Sequence, residues 1–245
     1  MTRPQEEQYL GAMRVINASL FARLGSRVRT GPFAGMWIPE EAPWDDGNSG
    51  AKLAGSYEFE LHSALALAVA RGVRAIVNVG CAEGYYAVGL AMIAPEVDVV
   101  ACDLDRRSLA LCLEGALRNG VAGRVSARLG CTTPEALAAV PAAPGHRLYL
   151  LDCEGAELAL LDPVRCPALV RSDVIVECHD FMYSAISKVL GQRFMPTHAV
   201  FKINPDLPDP KMYPFLRGLP FGTQLLAIAE KRPMPSCWLA CWANS

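Results

Sequence analysis

Acidic residues and one histidine follow two apolar segments in the C-terminal half of the chain, and their side chains could carry out proton transfer. Residues 148–151 are followed by Asp152 and Glu154, and residues 174–176 by Glu177, His179 and Asp180. An imidazole has an unperturbed pKa of about 6.5, so His179 is the natural general base near neutral pH, and Asp152 is the second candidate. We therefore predict that these five residues form the catalytic end of a site.

The same carboxylates allow a second chemistry. Asp152, Glu177 and Asp180 offer the oxygen ligands that magnesium prefers, and a bound magnesium ion would lower the pKa of a coordinated hydroxyl and orient it. The sequence leaves this choice open. Structural roles also stay open, namely a helix cap for Glu154 or Asp180, a solvated helix position for Glu157, and a carboxylate partner for His179.

Residues 76–84, Ile-Val-Asn-Val-Gly-Cys-Ala-Glu-Gly, form the segment that could hold a ligand beside these groups. An apolar strand runs into a turn bounded by Gly80 and Gly84, and residues 85–91 continue at helical spacing. Gly80 allows a sharp turn without a Cβ clash, and Gly84 allows the helix to start close to the strand. A strand, a tight turn and a helix in this order predict a cradle for a small molecule.

The residues inside this turn indicate which cofactor it holds. A dinucleotide-binding turn needs a second glycine two residues after the first, but this chain has Ala82 there, followed by the carboxylate of Glu83. A carboxylate repels phosphates, whereas S-adenosylmethionine has an α-amino group, a sulfonium cation and no phosphate. The sequence therefore predicts S-adenosylmethionine as the cofactor, with S-adenosylhomocysteine as the product of methyl transfer.

Asp103 supports a nucleoside ligand. It follows the apolar segment 97–102 and lies 23 residues after Gly80. An acidic residue about 20 residues after the first glycine, at the end of the second strand, typically meets a ribose hydroxyl pair. Because both candidate cofactors carry a ribose, Asp103 does not distinguish between them.

Strand and helix patterns alternate from about residue 72 onward, which is typical of a parallel sheet covered on both faces. The candidate strands are 74–79, 97–102, 124–129, 147–152, 173–178, 197–203 and 236–242. We predict an α/β fold with a doubly wound seven-stranded sheet, mostly parallel with an antiparallel last strand. Residues 1–70 are predicted to form an N-terminal helical cap, with helices at 5–24 and 56–70, and residues 71–245 the cofactor-binding domain.

Composition argues against several other classes of protein. The chain has 245 residues, 52% of them hydrophobic and 20% charged, as expected for a folded globular protein. With a net charge of −2 and no basic cluster, we expect a small-molecule acceptor and no nucleic-acid partner. A polar start and the lack of an apolar run of about 18 residues predict a cytoplasmic protein without a membrane partner. Whether the chain forms a homodimer is left open.

Three segments resemble the FkbM type of class I S-adenosylmethionine-dependent methyltransferases. Residues 77–86 are similar to that family's first motif, residues 151–157 to its Asp-x-Glu-Gly-x-Glu motif, and residues 176–179 to its fifth-strand ending. The resemblance covers about residues 52–180. It implies a Rossmann-like fold and methylation of a small-molecule hydroxyl, often on a sugar or a natural product.

Residues 52–58 resemble a segment that precedes the first motif in a subset of the family, which implies that Tyr57 and Glu58 close over the cofactor. A helix start capped by Ser56 explains the same residues. The complete set of expected cofactor contacts is Tyr57, Glu58, Asn78, Gly80, Cys81, Ala82, Glu83, Gly84, Tyr85, Asp103, Leu104, Cys131, Thr132 and Asp152.

Two positions depart from the family's pattern. Asn78 stands where many methyltransferases have an acid, which leaves Glu83 a larger share in binding the cofactor's amino group. Near the adenine many relatives carry an acid, and here Cys131 and Thr132 are available. Two alternatives remain: an NAD-dependent oxidoreductase, against which Ala82 and Glu83 argue, and a non-catalytic S-adenosylmethionine-binding module, against which the acidic strand ends argue.

Overall fold

One mixed sheet of seven strands is formed by the described residues of the computed structural model, which are 3–40, 47–182, 185–230 and 236–244. The strands are β1 (Ala75–Val79), β2 (Asp98–Asp103), β3 (Val125–Leu129), β4 (Arg147–Leu151), β5 (Asp173–Cys178), β6 (His198–Ile203) and β7 (Cys237–Ala243). Their order is β3-β2-β1-β4-β5-β7-β6, and among these described strands β7 alone runs in the direction opposite to the other six. The predicted sheet is confirmed.

Helices flank the sheet. They are α1 (Arg3–Leu24), α2 (Ser49–Ala54), α3 (His62–Ala70), α4 (Tyr85–Ile93), α5 (Arg106–Arg118), α6 (Pro134–Ala138), α7 (Glu157–Leu160), α8 (Ile186–Phe194) and α9 (Phe221–Ile228). The helix predicted over 56–70 was wrong at its start, because Glu58 has a φ of 46°, which an α-helix does not accommodate. Within the described residues, each helix is too short or too polar to span a lipid bilayer.

Alternate side chains of the central strands enter two separate hydrophobic clusters. Ile76 of β1 and Leu150 of β4 pack on one face with α4 and α5, whereas Val77 and Tyr149 pack on the other face with α6, α7 and α8. This alternation follows from the two-residue period of a strand. Both faces of β1, β4 and β5 are therefore buried, as their nearly continuous apolar sequences predict.

The N-terminal segment contributes to the first of these clusters. Phe21 of α1, Phe33 of the following loop and Leu53 of α2 belong to the same cluster as Ile76. Phe33 packs so closely on α4 that a Cβ added to Gly89 would lie 2.5 Å from its ring. The segment thus packs on the sheet as part of one core, while the predicted boundary after residue 70 stays a prediction.

Two glycines shape the turn between β1 and α4. Gly80 has a φ of 75°, and a Cβ added there would lie 1.6 Å from the carbonyl oxygen of Asp152. Gly84 precedes α4 with a φ of 93°, and its added Cβ would lie 2.6 Å from Cys112 Sγ. A side chain at either position would force neighbouring atoms apart, so the sequence requires glycine there for both conformation and space.

Replacement of Gly80 by alanine should destabilise the protein far more than the same change at Gly72. Gly72 also has a positive φ, of 78°, but its added Cβ would meet no atom within 4 Å. We expect Gly72→Ala to cost about 1 kcal/mol of unfolding free energy from backbone strain alone, and Gly80→Ala at least about 3 kcal/mol because the clash is added. Urea unfolding of both variants measures the difference, and equal losses would contradict the close approach of Gly80 to Asp152.

Candidate functional site

A cavity of about 590 Å³ lies at the carboxyl ends of the five parallel strands β1 to β5. Each of these strands contributes at least one lining residue at or just beyond its end, namely Gly80, Asp103, Cys131, Asp152 and Glu177. The carboxyl edge of an open α/β sheet, where the strand order reverses, is the usual position of a ligand site. Residues of the predicted cofactor turn and four of the five predicted catalytic residues, all except Asp180, therefore line one cavity.

The predicted cofactor contacts divide into two groups. Those that line the cavity are Tyr57, Glu58, Gly80, Ala82, Asp103, Leu104, Cys131, Thr132 and Asp152. The remaining predicted residues are buried outside the lining that the described residues form; they are Asn78, Cys81, Glu83, Gly84 and Tyr85. The amide of Asn78, for example, donates to the Leu150 carbonyl oxygen at 3.3 Å within the sheet.

Asp103 is held in place by the turn that it faces. Its Oδ2 accepts a hydrogen bond from the backbone N–H of Ala82 at 2.9 Å, and its Oδ1 accepts one from the N–H of Asp105 at 2.9 Å. A carboxylate has about four lone-pair positions, so these bonds leave it able to accept from a ribose hydroxyl pair as well. Asp103 thus joins the end of β2 to the turn after β1 at the wall of the cavity.

The carboxylate of Glu83 forms a buried ion pair that the sequence did not indicate. Its Oε1 lies 2.6 Å from Nζ of Lys52 on α2, and the two side chains are 4% and 7% exposed. Lys52 lines the cavity, whereas Glu83 lies outside the lining that the described residues form. The role of Glu83 in binding a cofactor ammonium group stays a prediction, and its first partner in the structure is this lysine.

His179 lines the cavity and lies among four carboxylates. Its Nδ1 is 2.8 Å from Oε1 of Glu157, and its Nε2 is 3.4 Å from Glu154 Oε2, 3.6 Å from Glu177 Oε2 and 3.7 Å from Asp152 Oδ1. The structure thus brings together four of the five residues predicted to be catalytic, and adds Glu157.

The charges around His179 change its acid–base behaviour. Burial alone would lower the pKa of His179, but the hydrogen bond to Glu157 and the charges of Glu177 and Asp152 outweigh burial and raise the pKa to about 9. This differs from the ordinary pKa of about 6.5 that the sequence suggests. The same surroundings, burial first and then the charge of Glu177, hold the pKa of Asp152 well above its usual range.

Glu157 is fully buried, which excludes the solvated helix position that the sequence allowed for it. It is the first residue of α7, and its Oε1 also accepts from the N–H of Gly155 at 3.0 Å. Burial raises the pKa of Glu157, but the hydrogen bonds from His179 and Gly155 outweigh burial and place it below the usual range. Its place in the Asp-x-Glu-Gly-x-Glu segment was the available sequence signal for a role beside His179.

Asp180 does not join the other acidic residues. Both of its oxygens bond Ser187, with Oδ1 2.8 Å from the backbone N–H and Oδ2 2.6 Å from the hydroxyl, near the start of α8. The predicted magnesium ligand set of Asp152, Glu177 and Asp180 is therefore not assembled. Within the described residues, Asp152 and Glu177 instead form a group with Glu58. One carboxylate oxygen from each of the three lies within 4.8 Å of the other two.

The chain matches no family model and no curated protein, so the FkbM resemblance stays a prediction. Its fold is shared with solved methyltransferases. The O-methyltransferase TomG from Streptomyces achromogenes, in complex with SAM, has 13% identity and a TM-score of 0.52 over 74% of this chain and 78% of that chain. Cofactor-bound Rv0187 from MTB has 13% identity and a TM-score of 0.51 over 99% of this chain and 90% of that chain.

An rRNA methylase from Streptococcus thermophilus also shares the fold, with 11% identity and a TM-score of 0.51 over 76% of this chain and 97% of that chain. At such identities the likeness concerns the fold alone. The chain has the Rossmann-like fold of these methyltransferases, with a cavity at the same edge of the sheet where open α/β folds bind their ligands.

Substitution of Glu157 by glutamine should lower the pKa of His179. Glutamine keeps the size of the side chain but removes the charge nearest the imidazole, so we expect the His179 titration to move from about 9 towards its ordinary value. NMR titration of the imidazole protons measures this change, with His179→Asn assigning the signal. Glu154→Gln is the control, because Glu154 is farther from the ring and its side chain is 78% exposed. A larger shift in that control would contradict the dominance of Glu157.

Proposed function

We propose that this protein is an S-adenosylmethionine-dependent methyltransferase that methylates a hydroxyl of a small molecule, such as a sugar or a natural product. The observation that carries the proposal is the hydrogen bond between Asp103 and the Ala82 amide at the wall of the cavity. It supports the proposal because a carboxylate that can accept hydrogen bonds from ribose hydroxyls lies beside a glycine turn, in a fold shared with a solved O-methyltransferase.

The lining residues suit the parts of this cofactor. Asp103 suits the ribose, and the exposed side chain of Leu104, with Cys131 and Thr132, offers a partly apolar wall for the adenine. Gly80 and Ala82 line the cavity, and because Gly80 has no side chain, a bound cofactor could come close to the backbone there. When bound, S-adenosylmethionine supplies an activated methyl carbon, so the protein has to align the acceptor and to accept its proton.

The carboxylates around His179 favour a methyl acceptor with a neutral hydroxyl group over an anionic acceptor. Asp152, Glu154 and Glu177 all lie within 3.7 Å of His179 Nε2, and their charges oppose an acceptor that carries a carboxylate or a phosphate. Glu157 holds Nδ1, which leaves Nε2 as the atom that can accept the hydroxyl proton. We infer that His179 is the general base and that Asp152, whose Oδ1 is buried, orients the acceptor.

A divalent ion such as magnesium is a second route to the same chemistry. Glu58, Asp152 and Glu177 would then supply oxygen ligands and would orient the acceptor hydroxyl. This route requires added metal, whereas proton transfer to His179 does not. Measurements of methyl transfer in the presence of magnesium and in the presence of a chelator therefore distinguish the two routes.

Calorimetric titration with S-adenosylhomocysteine and with NAD tests the cofactor. We expect saturable binding of S-adenosylhomocysteine alone, and a loss of about tenfold or more in affinity for Asp103→Asn because a charged acceptor for the ribose is removed. Asp98→Asn is the matched control, since Asp98 is exposed at the other end of β2 and should bind as wild type. Binding of NAD alone would instead indicate an oxidoreductase. Binding without turnover of any acceptor in a broad hydroxyl screen would indicate a non-catalytic module.

The pH dependence of the reaction tests the general base. The value of kcat/KM for the cofactor reports groups in the free enzyme, and only neutral His179 can accept a proton. We therefore expect kcat/KM to rise with pH by up to tenfold per pH unit below about 9 and to level off above it. Glu157→Gln should move this midpoint to lower pH. A flat profile between pH 7 and 9 would mean that a carboxylate, with Asp152 as the first choice, takes the proton instead.

A further inference from the structure

Lys52 is a charged residue from outside the sheet that reaches the cavity. It lies on the short helix α2, between small and apolar residues, and its side chain is 7% exposed. Its Nζ lies 2.6 Å from Glu83 Oε1 and 4.8 Å from the centroid of the Tyr57 ring. A buried ammonium group is costly unless it is paired, so these contacts hold it at one place in the cavity wall.

Glu83 supports this lysine from behind the cavity wall. Its side chain is 4% exposed, and within the described residues its Oε2 has no hydrogen-bond partner. Since Glu83 lies outside the described lining while Lys52 is part of it, the ammonium group is the member of the pair that a ligand meets. An ammonium has three N–H donors, and the bond to Glu83 uses one of them.

The charges of the cavity restrict where a ligand carboxylate can bind. Among the described lining residues, Lys52 and His179 are the cationic side chains. His179 is surrounded by four carboxylates, which oppose a further anion there. Lys52 lines the cavity together with Gly80 and Ala82 of the turn after β1, and its ion pair with Glu83 fixes the ammonium group there.

We propose that Lys52 binds the α-carboxylate of the cofactor's methionine part, and that Glu83 is the positioning residue that holds the lysine ammonium group. This inference rests on the proposed function, because it assigns a contact within the same cofactor. It also revises the role of Glu83, which acts through Lys52 and not by direct contact with the ligand.

The test compares two ligands that differ in the methionine part. S-Adenosylhomocysteine carries the α-carboxylate, whereas 5′-methylthioadenosine keeps the nucleoside and the thioether but lacks the amino-acid group. By calorimetry, Lys52→Met should weaken S-adenosylhomocysteine at least tenfold and leave 5′-methylthioadenosine within twofold of wild type. Lys188→Met, at an exposed position of α8, is the matched control and should change neither affinity.

A second variant keeps the test informative if removal of the lysine destabilises the fold, since Glu83 would then be a buried unpaired charge. The double variant Lys52→Met/Glu83→Gln removes both charges and should show the same loss of selectivity. Glu83→Gln alone should weaken S-adenosylhomocysteine several-fold with 5′-methylthioadenosine unchanged. Unchanged binding of S-adenosylhomocysteine to Lys52→Met, or equal losses for both ligands, would overturn the assignment. Failure of the wild type to bind either ligand would overturn the proposed function together with it.

Discussion

The close approach of two strand ends is the constraint on which the rest of the site depends. Gly80 follows β1 and lies against the carbonyl of Asp152, which follows β4, and no side chain fits between them. The N–H of Gly80 donates to the Cys102 carbonyl of β2 at 2.9 Å, and the N–H of Asp152 donates to the Val79 carbonyl of β1 at 3.0 Å. Because β1 is hydrogen-bonded on both sides at this edge, the distance between the glycine turn and the carboxylate of Asp152 is fixed.

Burial then gives Lys52 and His179 different electrostatic surroundings in the cavity wall. The ammonium group of Lys52 forms an ion pair with the buried carboxylate of Glu83. The imidazole of His179 instead faces four carboxylates, which raise its pKa. Burial, and after it the charge of Glu177, raises the pKa of Asp152. The cavity therefore combines a buried ion pair with a cluster of carboxylates around one imidazole.

The sequence predicted those features that depend on neighbouring residues. All seven strands lie within about one residue of their predicted positions, because apolar runs bounded by turn residues specify buried strands locally. The need for glycine at position 80 was also predictable, because a sharp turn directly after a strand is a local pattern. The helix predicted from residue 56 was wrong because Glu58 adopts a left-handed conformation, and no local pattern indicates one at glutamate.

Sequence alone thus determined the fold class, the glycine turn after β1 and the acidic strand ends, since each follows from a periodic or motif-like pattern. Tertiary structure alone decided the partners of the charged groups. Lys52 meets Glu83 across 31 residues and His179 meets Glu157 across 22, while Asp180 turns to Ser187. Such pairings depend on how helices pack over the sheet and on which carboxylates lose their water, and these are properties of the assembled core that no short segment encodes.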